Sequence, residues 1–323
     1  VLRRIVLFAA PLLLLISACT QAPQAAPPDR TSGSSAASSA PPSSGSGSAT
    51  GSASASASQS APASRSVHVS LLESDGGVYG VGMPIIAWFN VAPTDASAFA
   101  KVTTVTVNGN PVPGAWYFER TSHAGSAMEA HYRPQSYWPG HAKIHLELPV
   151  QGLSAGPGLS FDDSLTLDIS TGPAIFATVN AATLQMTVKS DGHQVGVYPV
   201  SLGAANTRTL RGIKVIMEKG ADIPMRGPGY YDPHVQWTQR LTYGGEYLHS
   251  APWNIANLGK RSTSNGCTNL SPAVAKGLYG LMRIGDVVSY PNANGPQMQL
   301  GSGYGDWNLS WGAWQTGGVV KTS

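Results

Sequence analysis

From Val67 onward, apolar residues recur at every second position in runs of a few residues, and glycine, proline, asparagine or aspartate closes most runs. Val67-Val69-Leu71, Ile144-Leu146-Leu148 and Leu165-Leu167-Ile169 alternate, and Val102-Val105-Val107 does so more loosely. A period of two places the apolar set on one face of an extended strand, and a slip of one residue would turn that whole set to water. The chain is therefore expected to fold as short half-buried strands joined by tight turns, and its richness in Val, Thr, Tyr and Trp agrees. Asn108-Gly109-Asn110 is a turn between two such strands. The pattern resumes after Pro173: Ala174–Asn180 and Thr183–Ser190 read as strands, Asp191-Gly192 as a hairpin turn, and Gln194–Ser201 as the returning strand.

The first block, 66–172, has the length and strand spacing of an immunoglobulin-like β-sandwich. Trp116, Tyr137 and Trp138 within it could bind glycan, but packing in the sandwich is the favoured reading. His123, His131, His141 and His145 show no metal-ligand spacing and are taken as surface or strand residues. The second block, 173–291, is also mainly β. It includes one helix, begun by Ser271 as a cap with Pro272 in its first turn, with Val274, Leu278 and Leu281 at helical spacing. Gly285-Asp286 ends the helix and Val287–Tyr290 is a strand. Between Gly220 and Tyr243 the prolines at 224, 228 and 233 argue against a helix. The stretch reads as a long loop, of the kind that is usually functional. In the last segment, 292–323, Trp307, Trp311 and Trp314 stand at i, i+4 and i+7, on one face of an expected helix.

The N-terminus is read as an address. Arg3-Arg4 precedes an apolar run, Ile5 to Ile16, that is short for a membrane span. Ile16-Ser17-Ala18-Cys19 resembles a bacterial lipobox, which makes 1–19 a lipoprotein signal peptide and Cys19 the lipidated residue. Residues 20–65 are almost wholly Ala, Ser, Pro, Gly and Gln, too poor in apolar surface to offset ordering, and are expected to form a disordered tether. The expected location is the outer face of a cell membrane, towards the cell wall. Charged residues make up 11% of the chain and the net charge is +3, with no Lys/Arg run beyond Arg3-Arg4, so a nucleic-acid footprint is excluded.

Cys267 is one of two cysteines, and His249 lies eighteen positions before it. A thiol becomes a good nucleophile near neutral pH when a base is paired with it, and an imidazole can lower its pKa. A structural zinc site needs four ligands, which a single free cysteine does not approach.

The surrounding residues carry more information. His249-Ser250-Ala251-Pro252-Trp253, then Ser264-Asn265-Gly266-Cys267-Thr268-Asn269, resemble the active-site motif of the L,D-transpeptidases of bacterial cell-wall synthesis (the YkuD family). Asn265 departs from the pattern, standing where the family usually has a second histidine. Pro113-Gly114-Ala115-Trp116 and Arg133 to Pro139 likewise resemble the Ig-like domain that precedes the catalytic domain in mycobacterial-type members. The resemblance implies a YkuD-type β-sandwich at 173–291, with a Trp-rich extension at 292–323 packed on that domain. It implies Cys267 as nucleophile, His249 as base and the Ser250 carbonyl as the group that orients the imidazole. Tyr231 would be the lid tyrosine, Asn269 a ligand of the stem peptide, Trp253 and Ser264 shapers of the site, Gly266 a point of close backbone approach and Met217 a pocket wall or simply core. No cofactor is implied. The implied partners are peptidoglycan tetrapeptide stems as donor and acceptor, the membrane through the lipid anchor, and carbapenem β-lactams as inhibitors. The implied reaction is 3-3 cross-linking through a cysteine thioester. L,D-carboxypeptidase or D-amino-acid exchange activity, or a catalytically weak wall-binding role, are the alternatives.

Overall fold

The computed structural model describes residues 64–121, 123–227 and 230–323. Cys19, the signal peptide and nearly all of the expected tether lie outside the described residues. The described part is mostly β, with two sandwich-like bodies in sequence order.

In the first body, one sheet runs in the order Val69–Leu71, Ile85–Phe89, Met128–Pro134, Gly114–Glu119. The second runs Val78–Tyr79, Leu165–Thr171, Lys143–Leu148, Thr104–Val107, Asn110–Pro111. Side chains of alternating strands meet between them, where Phe89, Phe99, Phe118 and Phe161 are buried with Trp116 and Trp138. Two of the candidate glycan-binding aromatics are thus core. The third, Tyr137, is half-buried and packs against Trp307 and Phe176. Asn108 and Gly109 both take positive φ, 51° and 78°, as the hairpin turn requires. Val102 departs from the expected strand: it ends a short helix, Ser97–Val102, and the strand begins at Thr104.

The second body holds the sheet His193–Pro199, Gln185–Ser190, Ile175–Asn180, Val287–Tyr290, Gly212–Val215. Its other sheet is Glu218–Gly227, Tyr230–Arg240, Tyr247–Ser250, Thr268–Leu270. Ile175, Val179, Leu241, Leu248 and Leu270 share one core with Ala275 and Leu278 of the helix Pro272–Leu281. Ser271 caps that helix by accepting from the Val274 N–H. The expected loop at 220–243 is instead a long antiparallel ribbon. Its strands Glu218–Gly227 and Tyr230–Arg240 pair from Glu218↔Arg240 to Gly227↔Tyr230, with a register shift between Ile223 and Met225. The shift falls at Pro224, a residue with no N–H for a regular ladder.

The extension also differs from expectation. No continuous helix carries the three indoles: Asp306–Asn308 is a 3₁₀ turn and Trp311–Trp314 a single helical turn. The rings gather round Arg133 of the first body, whose guanidinium carbon lies 4.6, 5.5 and 4.4 Å from the centres of Trp307, Trp311 and Trp314. Trp314 Nε1 donates to the Ala115 carbonyl at 2.8 Å. The second body is held as well, because the Asn308 amide pairs with both backbone groups of Ile213 at 2.7 Å. The extension therefore packs on both bodies, and its indoles chiefly on the first.

Candidate active site

The strand Tyr247–Ser250 pairs in parallel with Thr268–Leu270, in the register Leu248↔Thr268, His249↔Asn269, Ser250↔Leu270. This pairing brings the two halves of the sequence motif to one sheet edge. His249 and Cys267, each 5% exposed, line a single cavity of about 410 Å³. The inner strand of the ribbon supplies Tyr230, Tyr231 and Asp232 to its wall, and Trp253, Ser264, Asn265 and Asn269 complete the rim.

His249 Nδ1 lies 2.8 Å from the Ser250 carbonyl. A carbonyl only accepts, so Nδ1 carries the proton and Nε2 is left with its lone pair. Burial holds the imidazole pKa below its usual value, against the opposing effects of the Ser250 carbonyl, Asp232 and Asn269. The ring is therefore neutral near pH 7 and able to take a proton. Trp253 of the 3₁₀ turn Pro252–Asn257 stacks over it, with centres 5.9 Å apart, and is itself exposed to the cavity mouth.

The expectation that the imidazole lowers the thiol pKa is not met in this resting arrangement. Burial pushes the Cys267 thiol up to about 12. Its hydrogen bond goes to the Gly245 carbonyl, with Sγ 3.5 Å away. The resting pair is thus thiol and neutral imidazole, because neither charged form is solvated in so enclosed a site.

Around the sulfur, the loop is tightly held. Ser264 Oγ donates to the Cys267 carbonyl at 2.6 Å and accepts from the Gly266 N–H at 3.2 Å. Gly266 has φ +108°, a conformation that a side chain would strain. Its carbonyl accepts from Thr209 Oγ1 at 2.8 Å, and Thr209 in turn accepts from the Gly203 N–H at 2.9 Å. Asn269 is buried beside the imidazole, close enough to raise the ring's pKa, but its Oδ1 makes no hydrogen bond of regular geometry with a described residue. A buried acceptor so loosely held at a cavity is suited to receive an N–H from a ligand.

Of the two readings of Met217, pocket wall or core, the structure supports core: it packs with Met83, Ile86, Val215 and Tyr304 where the two bodies meet, and Met225 of the ribbon lines the cavity. Tyr231 lines the cavity but is 59% exposed, with the Arg226 guanidinium over its ring at 5.3 Å. Its neighbour Tyr230 lines the same cavity and is less exposed, and burial above all holds its pKa above the usual phenol value. Val235, Asn254 and Thr263 also line the cavity and carry no signal in the sequence.

Two sheets with one helix, and a cysteine and a histidine brought to one cavity under a ribbon, define a β-sandwich domain with a Cys/His site at one sheet edge. Residues 175–289 match the L,D-transpeptidase catalytic domain (YkuD), and residues 42–154 match a bacterial Ig domain. The chain thus joins a bacterial Ig domain to a catalytic domain of the L,D-transpeptidase family. It is 30% identical over 256 residues to L,D-transpeptidase 2 of Mycobacterium tuberculosis, covering 76% of this chain and 61% of the relative, so it spans less than two thirds of that relative's length. A solved LD transpeptidase in complex with imipenem is similar with a TM-score of 0.57 at 25% identity, over 72% of this chain and all of that one. L,D-transpeptidase 3 from Mycobacterium tuberculosis, solved with a faropenem-derived adduct, is similar with a TM-score of 0.56 at 26% identity, over 69% of this chain and 97% of the other.

Proposed function

We propose that this chain is a peptidoglycan L,D-transpeptidase that forms 3-3 cross-links through a thioester on Cys267. The observation that carries the reading is the locked His249 tautomer: with Nδ1 committed to Ser250, Nε2 is the free base in the cavity that Cys267 shares. Because the resting pair is neutral, the thiol gives its proton to Nε2 as the sulfur attacks the carbonyl of the third residue of a tetrapeptide stem. The resulting oxyanion is stabilised by the Cys267 N–H and a lid phenol, Tyr230 or Tyr231. The terminal D-alanine then leaves as an amine, taking the proton from the imidazolium. The side-chain amine of an acceptor stem attacks the thioester next, passes a proton to His249, and releases the sulfur as thiol once more. Asn269 Oδ1 receives a stem-peptide N–H. Asn265 leaves the thiol–imidazole pair intact and bears on rate and acceptor choice, since it lines both the cavity and an open groove on the far side of the loop.

Carbapenems enter the same proposal as acylating inhibitors of Cys267. Export and anchoring through Cys19 belong to it as well, and detection of a lipid-modified Cys19 peptide tests that part. The test of the activity is incubation of the protein with disaccharide-tetrapeptide and mass spectrometry of the products. A cross-linked dimer with loss of D-alanine, absent in Cys267→Ala, is expected. Tripeptide alone would make water the acceptor and the chain an L,D-carboxypeptidase, and incorporation of an added D-amino acid would make it an exchange enzyme. No turnover and no carbapenem adduct would leave wall binding through the Ig-like domain as its role.

A further inference from the structure

On the other side of the Asn265–Cys267 loop lies a buried pair of opposite charges that the acyl-transfer steps do not use. Lys214, in the strand Gly212–Val215, is fully buried, and its Nζ is bonded to Glu246 Oε2. The other carboxylate oxygen accepts from the Leu210 N–H at 2.7 Å. The Glu246 N–H donates to Thr242 Oγ1 at 3.0 Å. Lys214 Nζ also stands 3.9 Å from the centre of the Tyr290 ring, whose hydroxyl shares a 2.6 Å hydrogen bond with Thr268, the residue after the nucleophile. A Cβ built on Gly266 would sit 3.6 Å from Glu246 Cγ, so the carboxylate stem packs against the loop itself.

The position of Glu246 in the chain gives this pair its meaning. The residue before it, Gly245, offers the carbonyl that accepts the thiol, and the residue after it, Tyr247, makes a backbone hydrogen bond to the sulfur. Glu246 is therefore the middle of the backbone segment that cradles Sγ. A buried ion pair is often no more stabilising than apolar residues of similar volume, so stability alone does not account for it.

We propose that Lys214 and Glu246 are positioning residues for the nucleophile, the ion pair clamping the 245–247 backbone, and with it the cradle of the Cys267 sulfur, to the strand Gly212–Val215. The proposal rests on the reading of Cys267 as nucleophile. The pair also sets the field at the sulfur, Glu246 opposing the thiolate and Lys214 favouring it. The other titratable groups that bear on this site are the phenols of Tyr230, Tyr247 and Tyr290, all shifted upward by burial and so uncharged near pH 7, with neutral His249 and, beyond it, Asp232 in the cavity.

The test uses the full chain and two readouts at Cys267, located by peptide mass spectrometry so that Cys19 does not interfere. Alkylation by iodoacetamide at about pH 8 follows the thiolate fraction, which changes tenfold per pKa unit. Lys214→Met is expected to slow it about tenfold and Glu246→Gln, which keeps an acceptor for Leu210, to speed it about tenfold. A role confined to stability would move both variants in one direction. The double variant Lys214→Met/Glu246→Gln is expected to keep its melting temperature close to that of the wild type, because both charges go together and the acceptor for Leu210 stays. Its acylation by imipenem should fall by about tenfold or more, as the cradle loses its clamp. Wild-type acylation in the double variant, or shifts of the same sign in the two single variants, would overturn the proposal. If the wild-type chain is alkylated at Cys267 but neither acylated nor active on stems, the transpeptidase reading falls, and the alkylation rates still decide the role of the pair.

Discussion

His249 illustrates how much a single hydrogen bond can decide. With its proton fixed on Nδ1 and its pKa held below the ordinary imidazole value by burial, it stays a base into mildly acidic solution. The acid limb of the acylation rate is accordingly expected below about pH 6.5, the free imidazole value. A stopped-flow pH profile of imipenem acylation checks this. Asn269→Ala should raise KM for the stem substrate with little change in melting temperature, because the Oδ1 it removes has only a loose contact with His249. Thr209→Val keeps shape but strands the Gly266 carbonyl and the Gly203 N–H, and is expected to cost about 1–3 kcal/mol in denaturant unfolding and to slow acylation. At this scale Cys267 and His249 were legible as one site because their neighbours form a motif, and they line one cavity. Lys214 and Glu246 did not stand out at all, since a strand lysine and a turn glutamate look like surface residues until their burial is known.

The ribbon 218–240 is the element on which expectation and structure part most clearly. Both faces of its strands are largely exposed, so no apolar alternation marks them, and three prolines interrupt the reading. Pairing with each other satisfies the backbone where burial does not, and the bulge at Pro224 absorbs the missing donor. As a wall of the cavity, the ribbon shields the sulfur. Replacing residues 225–232 by a short glycine linker should leave the melting temperature nearly unchanged. It should speed alkylation of Cys267 by iodoacetamide and slow turnover of stem peptide, both measurable on the same preparation. Strands with one buried face behaved otherwise: Ile144-Leu146-Leu148 and Leu165-Leu167-Ile169 lie in the strands expected of them, and Asp191-Gly192 turns the hairpin with φ of 48° and 80°.

Across the whole molecule, the C-terminal segment fastens the two bodies together. On the second body the hold is the Asn308 amide on Ile213, and on the first it is Arg133 in its indole box. His131 adds a further hold on the first body: this strand residue is buried, its Nδ1 donating to Asp306 Oδ1 at 2.8 Å, with Glu119 and Glu129 oxygens 3.8 and 3.7 Å from Nε2. Burial opposes its charge, but these carboxylates win and raise its pKa well above the usual value. Nearby Glu73 is raised to about 8 by burial. Both shifts have one sign: the folded protein holds protons that the unfolded chain has released, so stability falls as pH climbs, for Glu73 between its unperturbed 4.5 and about 8. Glu73→Gln should therefore leave the unfolding free energy unchanged near pH 4 and raise it at pH 8 and above, by on the order of a few kcal/mol in denaturant unfolding. Arg133→Ala should destabilise the chain by roughly 2–4 kcal/mol in urea unfolding, through lost stacking and the lost bond to the Leu309 carbonyl.

Local features were settled within the sequence. Alternation chose strands, paired positive-φ residues chose the hairpins, Ser271-Pro272 chose where the helix starts, and a short motif singled out Cys267 and His249. Each of these depends on neighbours in the chain, whose geometry the peptide bond already constrains. The neutral state of the thiol and imidazole, the lid as a ribbon, Tyr230 as the less exposed of the two cavity phenols, the ion pair behind the sulfur and the docking of the indoles on Arg133 came only with the tertiary structure. All of them depend on which distant residues exclude water from one another, and burial of that kind has no period and no spacing along the chain.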